Sequence, residues 1–188
     1  TITSIDPYVQ ALWKSGPWQW SLGARHSRVS FKVEDRYIRT ENPDDSGSVR
    51  FSKTTPALGV IYSLSPATNL YASVGAGYET PTLNELSYAT PTTGFNFGLR
   101  PSTSRQAEIG VKTFVTDNAR INAALFRIET DDEIVVSASE EGRTSYQNAG
   151  RTLRQGLEIA AQADLSSTLT ARASLTWMQA EYDEAFTS

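Results

Sequence analysis

Chemistry in this chain has few residue types to draw on. There is no cysteine and a single histidine, His26, so thiolate metal sites, disulfides and His-based triads cannot be assembled from these 188 residues. His26 reads either as a lone metal or haem ligand or as a wall residue, and one imidazole without companions favours the wall. The densest acidic cluster, Asp131, Asp132 and Glu133, offers oxygen ligands to a divalent cation or simply hydrates a strand end. Asp44-Asp45-Ser46-Gly47 suggests a calcium loop only superficially, because the alternating ligands and closing glutamate are missing; it reads as a turn. Glu108 and Glu158 are the types that a hydrolytic pair uses, but nothing in the sequence sets their separation. With Lys112 and Arg172 they also suit the charges of a polar wall. One long connection holds Tyr88, Phe95, Asn96, Phe97 and Arg100, and the next holds Arg143 and Tyr146. Aromatic faces beside a guanidinium suit an aromatic, anionic small molecule, through stacking and charge-assisted hydrogen bonds. The same residues also serve to pack one loop on another. No resident metal or cofactor is expected.

The elements that must position these groups read as strands. The chain is 39% hydrophobic and 20% charged with a net charge of −4, which argues against disorder and against nucleic acid as a partner. No run of 18 apolar residues occurs, so no membrane-crossing helix is expected. A barrel is not excluded, because its strands alternate between lipid and lumen. Period-two alternation broken by turn residues predicts about eight strands, over 4–14, 18–38, 49–64, 69–79, 103–115, 119–137, 145–165 and 168–183, with no helix between them. Their connections alternate in length. Ser15-Gly16-Pro17, Ser65-Pro66-Ala67-Thr68, Thr116-Asp117-Asn118 and Ser166-Ser167 fit tight hairpins, whereas 39–48, 80–102 and 139–144 are longer. An antiparallel up-and-down meander crossing a membrane has this asymmetry, with tight turns on one rim and long loops on the other.

The faces agree. A turn at Ser166-Ser167 sets Leu157 opposite Trp177, Ile159 opposite Leu175 and Ala161 opposite Ala173 on an apolar face. Gln162 then faces Arg172, and Asp164 faces Thr170, on a polar one. Ala107, Ile109 and Val111 divide in the same way from Gln106, Glu108 and Lys112. Trp18 and Trp20, beside a short turn, are placed for an interfacial aromatic girdle. In the strand from 119, Ile121, Ala123 and Leu125 compete with Ala124, Phe126 and Ile128, and the odd-numbered set reads as outward. Eight strands suffice in principle for a small closed barrel. The long strands, the loop at 80–102 and the opening on Thr1 favour a stretch of a larger wall.

Several segments resemble a known family. Tyr78-Glu79-Thr80-Pro81-Thr82-Leu83-Asn84-Glu85-Leu86 resembles a segment of TonB-dependent outer-membrane receptors in which an aromatic precedes Pro-Thr-x-Asn-Glu-Leu. Leu99-Arg100-Pro101-Ser102 leading to Glu108-Ile109-Gly110-Val111-Lys112 resembles the family's next landmark. Asn148-Ala149-Gly150 followed by Gly156-Leu157-Glu158 resembles its Asn-x-Gly…Gly-x-Glu strand. Residues 130–136 and 142–156 are similar to the subgroup that includes the importer of pyrroloquinoline quinone. The motif positions carried over are Pro81, Asn84, Glu85, Glu108, Gly110, Asn148, Gly150, Gly156 and Glu158.

The resemblance implies that residues 1–188 are part of a 22-stranded barrel in the bacterial outer membrane, without its plug domain and last strands. It implies lipid and lipopolysaccharide as surroundings, and contact with the TonB complex through a region ahead of the plug. It also implies a scarce small-molecule cargo, either a ferric siderophore or a quinone cofactor, and no enzymatic activity. On the residues alone other classes stay open: a plugless porin or adhesin barrel, a small closed barrel, a soluble all-β binding domain, and a barrel enzyme using Glu108 or Glu158.

Overall fold

A computed structural model describes residues 1–40, 44–87, 94–140 and 142–182. The strands are β1 (Ile2–Ile5), β2 (Tyr8–Ser15), β3 (Trp18–Val33), β4 (Gly47–Ser65), β5 (Thr68–Glu79), β6 (Ser102–Thr116) and β7 (Ala119–Asp131). They continue as β8 (Ile134–Glu140), β9 (Arg143–Asn148), β10 (Thr152–Ser166) and β11 (Leu169–Tyr182), and one helical turn, α1 (Leu83–Leu86), follows β5. Nine strands form one antiparallel sheet in the order β1-β3-β4-β5-β6-β7-β10-β11, with β2 sharing the outer edge of β3 with β1. β8 and β9 form a separate hairpin. No helix of the described residues is long and apolar enough to cross a membrane, which says nothing of crossing by strands.

The expected tight turns join β2–β3, β4–β5, β6–β7 and β10–β11, all at one end of the sheet. Register follows from them. Leu157 faces Trp177, Ile159 faces Leu175, Ala161 faces Ala173 and Gln162 faces Arg172, as the turn and the alternation require. Tracing partners across the sheet gives one unbroken apolar row: Trp13, Trp20, Val60, Ala72, Ile109, Leu125, Leu157 and Trp177. Ile109, Leu125 and Trp177 are 61%, 57% and 62% exposed, so among the described residues nothing packs over them. A continuous exposed apolar face of this extent belongs in lipid. Trp18 stacks on Trp20 at 5.8 Å and leans on Tyr62 at 4.6 Å beside the tight-turn rim, an aromatic girdle in place.

On β7 the odd-numbered residues share the apolar face, as read. Phe126 is apolar on the other face for a separate reason: its ring lies over Gly156, where an added Cβ would stand 2.8 Å from it. Tyr71 covers Gly110 in the same manner, at 2.6 Å. These cross-strand aromatic–glycine pairs explain two motif glycines by close packing.

Six expectations need correction. The strand expected over 18–38 ends at Val33, and the connection expected to be long at 139–144 is a tight turn, with Ser139 paired to Thr144 and Glu140 to Arg143. The first strand is interrupted at Asp6-Pro7, where proline offers no N–H to the ladder. The strand expected over 119–137 stops at Asp131, because Asp132 adopts φ 57, a left-handed conformation that turns the chain out of the sheet. The strand expected over 145–165 breaks at residues 149–151 for the return path. Finally, the connection after β5 does contain a helical turn. Thr82 and Glu85 cap it reciprocally, the Glu85 N–H donating to the Thr82 hydroxyl and the Thr82 N–H to the Glu85 carboxylate. One turn is too short to leave a 3.6-residue stripe in the sequence.

The sheet's polarity inverts at the end away from the tight turns. On the apolar side, β3 continues as His26, Arg28, Ser30 and Lys32 opposite Thr54, Ser52, Arg50 and Ser48. On the other side it continues as Val29 and Phe31 opposite Phe51 and Val49. The inversion marks where the wall leaves the apolar phase, and it places His26 on a wet rim with Thr54 at 2.9 Å.

Candidate ligand-binding loops and polar wall

The inverted segment of β3–β4 is the floor on which the long loops settle. Phe31, Phe51, Leu86 and Leu99 form a buried cluster, with Val29, Val49, Tyr78, Phe95, Ile134 and Tyr146 packed around it. Connection 80–102, hairpin β8–β9 and the top of β3–β4 therefore share one small core. Leu86, carried by α1, is fully buried, as is Pro81. The motif Pro-Thr-x-Asn-Glu-Leu is thus a capping box that anchors a leucine. Pro81 and Glu85 take part directly, and Asn84 contributes its backbone carbonyl to Ser87.

Of the candidate ligand-binding residues, Phe95, Asn96, Phe97, Arg100 and Tyr146 lie in this loop cluster. Phe95 stacks on Phe97 at 5.7 Å. Phe97 sits over Gly47, where a Cβ would stand 2.4 Å from its ring. The Asn96 amide donates to the carbonyl of Tyr146 at 3.2 Å. Arg100 pairs with Asp132 at 2.6 Å. Arg143 opens β9 and is exposed. Tyr88 lies outside the described residues.

The acidic run, weighed above as a cation site or a solvated strand end, lies half-exposed at the end of β7 and does not gather on one point. Its members are divided among three arginines from separate segments: Asp131 with Arg151 at 2.9 Å, Asp132 with Arg100 at 2.6 Å, and Glu133 with Arg154 at 2.6 Å. Glu133 also accepts from the Thr152 hydroxyl. Among the described residues no group of side chains is arranged to hold a metal ion. Asn148 completes the assembly. Its amide donates to the carbonyls of Arg100 and Asp132, and its Oδ1 accepts the Arg100 N–H, at 2.8–2.9 Å. Gly150 lies in the short return that follows it.

The Arg154 hydrogen bond, followed by that from Thr152, holds the Glu133 carboxyl below its ordinary value of 4.5. Because the folded pKa is depressed, the stabilisation is present above pH 4.5 and is lost as pH falls through the lower folded value. Protease protection of hairpin β8–β9 is therefore expected to persist at neutral pH and to fail in acid. Glu133→Gln should weaken protection at neutral pH and remove that pH dependence. Equal pH dependence of protection in wild type and Glu133→Gln would refute this.

Glu108, Lys112, Glu158 and Arg172 share the face opposite the apolar row. The Tyr71 hydroxyl donates to Glu108 at 2.5 Å, and the Lys112 ammonium lies 4.9 Å from the centre of the Tyr71 ring. Arg172 and Arg120 both donate to the Gln162 amide oxygen, at 3.3 and 3.0 Å. Glu158 faces Ala124 and Thr176, and β7 separates it from Glu108. Sequence reasoning did not identify Arg151 and Arg154 as partners of the acidic run, nor Phe31 and Phe51 as the loop floor. A shift of apolar residues to the other parity along β3 was the available signal for the second.

The model of a family described as TonB dependent receptor-like, beta-barrel, matches residues 1–188. The ferrioxamine B receptor of Salmonella typhimurium (strain LT2) is 26% identical over 185 residues, 95% of this chain and 23% of that protein. The vitamin B12 transporter BtuB of Vibrio vulnificus is 27% identical over 153 residues, 81% of this chain and 24% of that protein. The chain thus spans about a quarter of the curated relatives it matches. Among solved structures, the copper transporter OprC superposes with a TM-score of 0.79 at 20% identity, covering 96% of this chain and 29% of that one. The ferric-catecholate import receptor Fiu of E. coli does so with 0.75 at 17%, covering 97% and 28%. At these identities the superpositions speak to the fold.

Proposed function

Because the chain belongs to the TonB-dependent receptor β-barrel family, we propose that it forms part of the wall and external loops of an outer-membrane importer. The cargo is a scarce small molecule, a ferric siderophore first, with pyrroloquinoline quinone as the finer reading suggested by residues 130–136 and 142–156. The protein performs no covalent chemistry; the parent receptor works through the TonB complex, surrounded by lipid and lipopolysaccharide. The same reading makes residues 1–188 a portion of the barrel domain, with a plug domain encoded elsewhere in the parent.

One observation carries this reading. The long loops fold together on the polar-face side of the wall, just beyond the apolar band, and they bring Phe95, Asn96, Phe97, Arg100 and Tyr146 into one cluster. Loops held this way present a shaped surface at the barrel mouth, as ligand capture requires. Glu108, Lys112, Glu158 and Arg172 then line the route below, where fixed charge steers a charged cargo.

The test uses the full-length receptor. Phe97→Ala combined with Arg100→Ala is expected to weaken ferric siderophore binding about tenfold or more, with the barrel still folded. Unchanged affinity would reject the loop assignment. A receptor that takes up labelled pyrroloquinoline quinone and no ferric siderophore would decide for the finer reading.

A further inference from the structure

Hairpin β8–β9 is not a regular ladder. Its register shifts between Val136 and Ala138, which leaves Ser137 without a cross-strand partner. A bulge of this kind re-aims a side chain and recurs beside binding sites. Here the Ser137 hydroxyl donates to the Gln147 amide oxygen at 3.4 Å. That bond occupies the oxygen of the amide and leaves its Nε2 for other partners.

Among the described residues it finds none. The Gln147 Nε2 and the Ser145 Oγ, two residues apart on β9, are both buried and unpaired. Ser145 as a whole is only 5% exposed. Alternation along the strand puts these two side chains on one face and Tyr146 on the other, where it packs toward the Phe31 and Leu99 floor. β9 also borders connection 80–102, since the Asn96 amide donates to the Tyr146 carbonyl at 3.2 Å. Folded proteins pair nearly all such groups, and an apolar residue of similar shape at either position would not weaken the hairpin. Two unmet polar groups side by side, on a strand tied to the Phe95-Asn96-Phe97 segment, are a cost that packing does not explain.

We propose that Ser145 and Gln147 determine specificity for the cargo by donating together to one of its acceptor oxygens, a carbonyl, hydroxamate or carboxylate oxygen. The inference rests on the importer reading and adds to it which polar side chains meet the cargo. The chemistry is one-sided, because an amide nitrogen only donates and so selects an acceptor. A site built to hydrogen-bond its ligand also discriminates sharply. A molecule lacking the oxygen leaves both groups as unmet as they are without cargo. Cargo reaches the pair as β9 shifts off connection 80–102, and the bonds gained offset the Asn96–Tyr146 bond given up.

Isothermal titration of the full-length receptor in detergent tests this, alongside limited proteolysis of 132–148. The probes are a ferric trihydroxamate and pyrroloquinoline quinone, both rich in acceptor oxygens. Ser145→Ala and Gln147→Met are each expected to weaken binding of the probe that wild type takes by about tenfold. Gln147→Glu, which turns an acceptor toward an acceptor, should weaken it further. Protease protection of the hairpin in Ser145→Ala is expected to equal or exceed wild type, since a buried unpaired group is gone. A merely structural role predicts protection and affinity lost together, and that result would overturn the proposal. Wild-type affinity in both Ser145→Ala and Gln147→Met, the outcome if an ordered water serves the pair, would overturn this proposal alone. A wild-type receptor that binds neither probe would overturn the importer reading and this proposal with it.

Discussion

Gly156→Ala is expected to cost the wall about 2–3 kcal/mol and to leave much of the receptor unassembled. A Cβ at this position would stand 2.3 Å from the carbonyl oxygen of Trp177 and 2.8 Å from the ring of Phe126. The ring can swing away. The carbonyl cannot, because it lies in the β10–β11 ladder, where Gly156 faces Met178 and its neighbour Leu157 faces Trp177. Relief therefore requires moving backbone in two strands, each held over more than a dozen residues. Gly110→Ala meets the same obstacle, with the Ala123 carbonyl and the Tyr71 ring both at 2.6 Å. Gly23→Ala is the control, since its nearest neighbour would be the Val9 carbonyl at 3.7 Å, an ordinary contact. The folded fraction on unheated gels and the urea midpoint of the full-length receptor read the difference. Equal folded fractions for Gly156→Ala and Gly23→Ala would show that the two motif glycines are not packing devices.

Asn148→Ala should act on the loops while sparing the wall. Its side chain holds the backbone of Arg100 from both directions and the carbonyl of Asp132 as well. Asp132 is the residue at φ 57 that lets β7 leave the sheet, so its carbonyl is aimed by an uncommon backbone conformation. Removing the amide leaves three backbone groups to find water. At about 1 kcal/mol for each hydrogen bond the loss is about 3 kcal/mol. That cost falls on the attachment of connection 80–102 to hairpin β8–β9, because the ladder pairs of β6, β7 and β10 lie elsewhere. The expected result is a barrel with wild-type melting, new protease cleavage within 80–102 or 132–148, and ligand affinity reduced about tenfold or more. An unchanged cleavage pattern would remove Asn148 from the role assigned here. Asn148→Asp should behave in the same way, since a carboxylate keeps the acceptor but loses both donors to the Arg100 and Asp132 carbonyls.

Much of the wall is legible in the sequence. The tight turns, the face assignment on β7 and the pairing of Leu157 with Trp177 all appear as read. The alternation has a period of two, and a slip of one residue would bury the apolar row in the polar face. The breaks at Pro7, Asp132 and residues 149–151 were less visible. A proline leaves a mark in sequence, but a left-handed aspartate does not announce itself, since most aspartates in such runs stay extended. The apolar residues Val29, Phe31, Val49 and Phe51 looked like ordinary strand residues, and only their parity distinguished them.

The loop cluster lay further from view. Asp131, Asp132 and Glu133 look like one acidic patch in a line of text, and the structure disperses them to Arg151, Arg100 and Arg154. Two of those partners are about 20 residues away in sequence and the third 32, a separation that no periodicity constrains. The parting of β4 from β5 beyond Ala57 and Gly75 arises in the same way, where Pro56 lacks a donor and the next strand diverges. What the amino-acid order determines by itself is the strand pattern, the two faces and the registers set by short turns, because each depends on neighbours within a hairpin. Which acid meets which arginine, what the long loops pack on and where the wall opens were decided by tertiary structure. Those contacts join segments that only the closed ladders bring together.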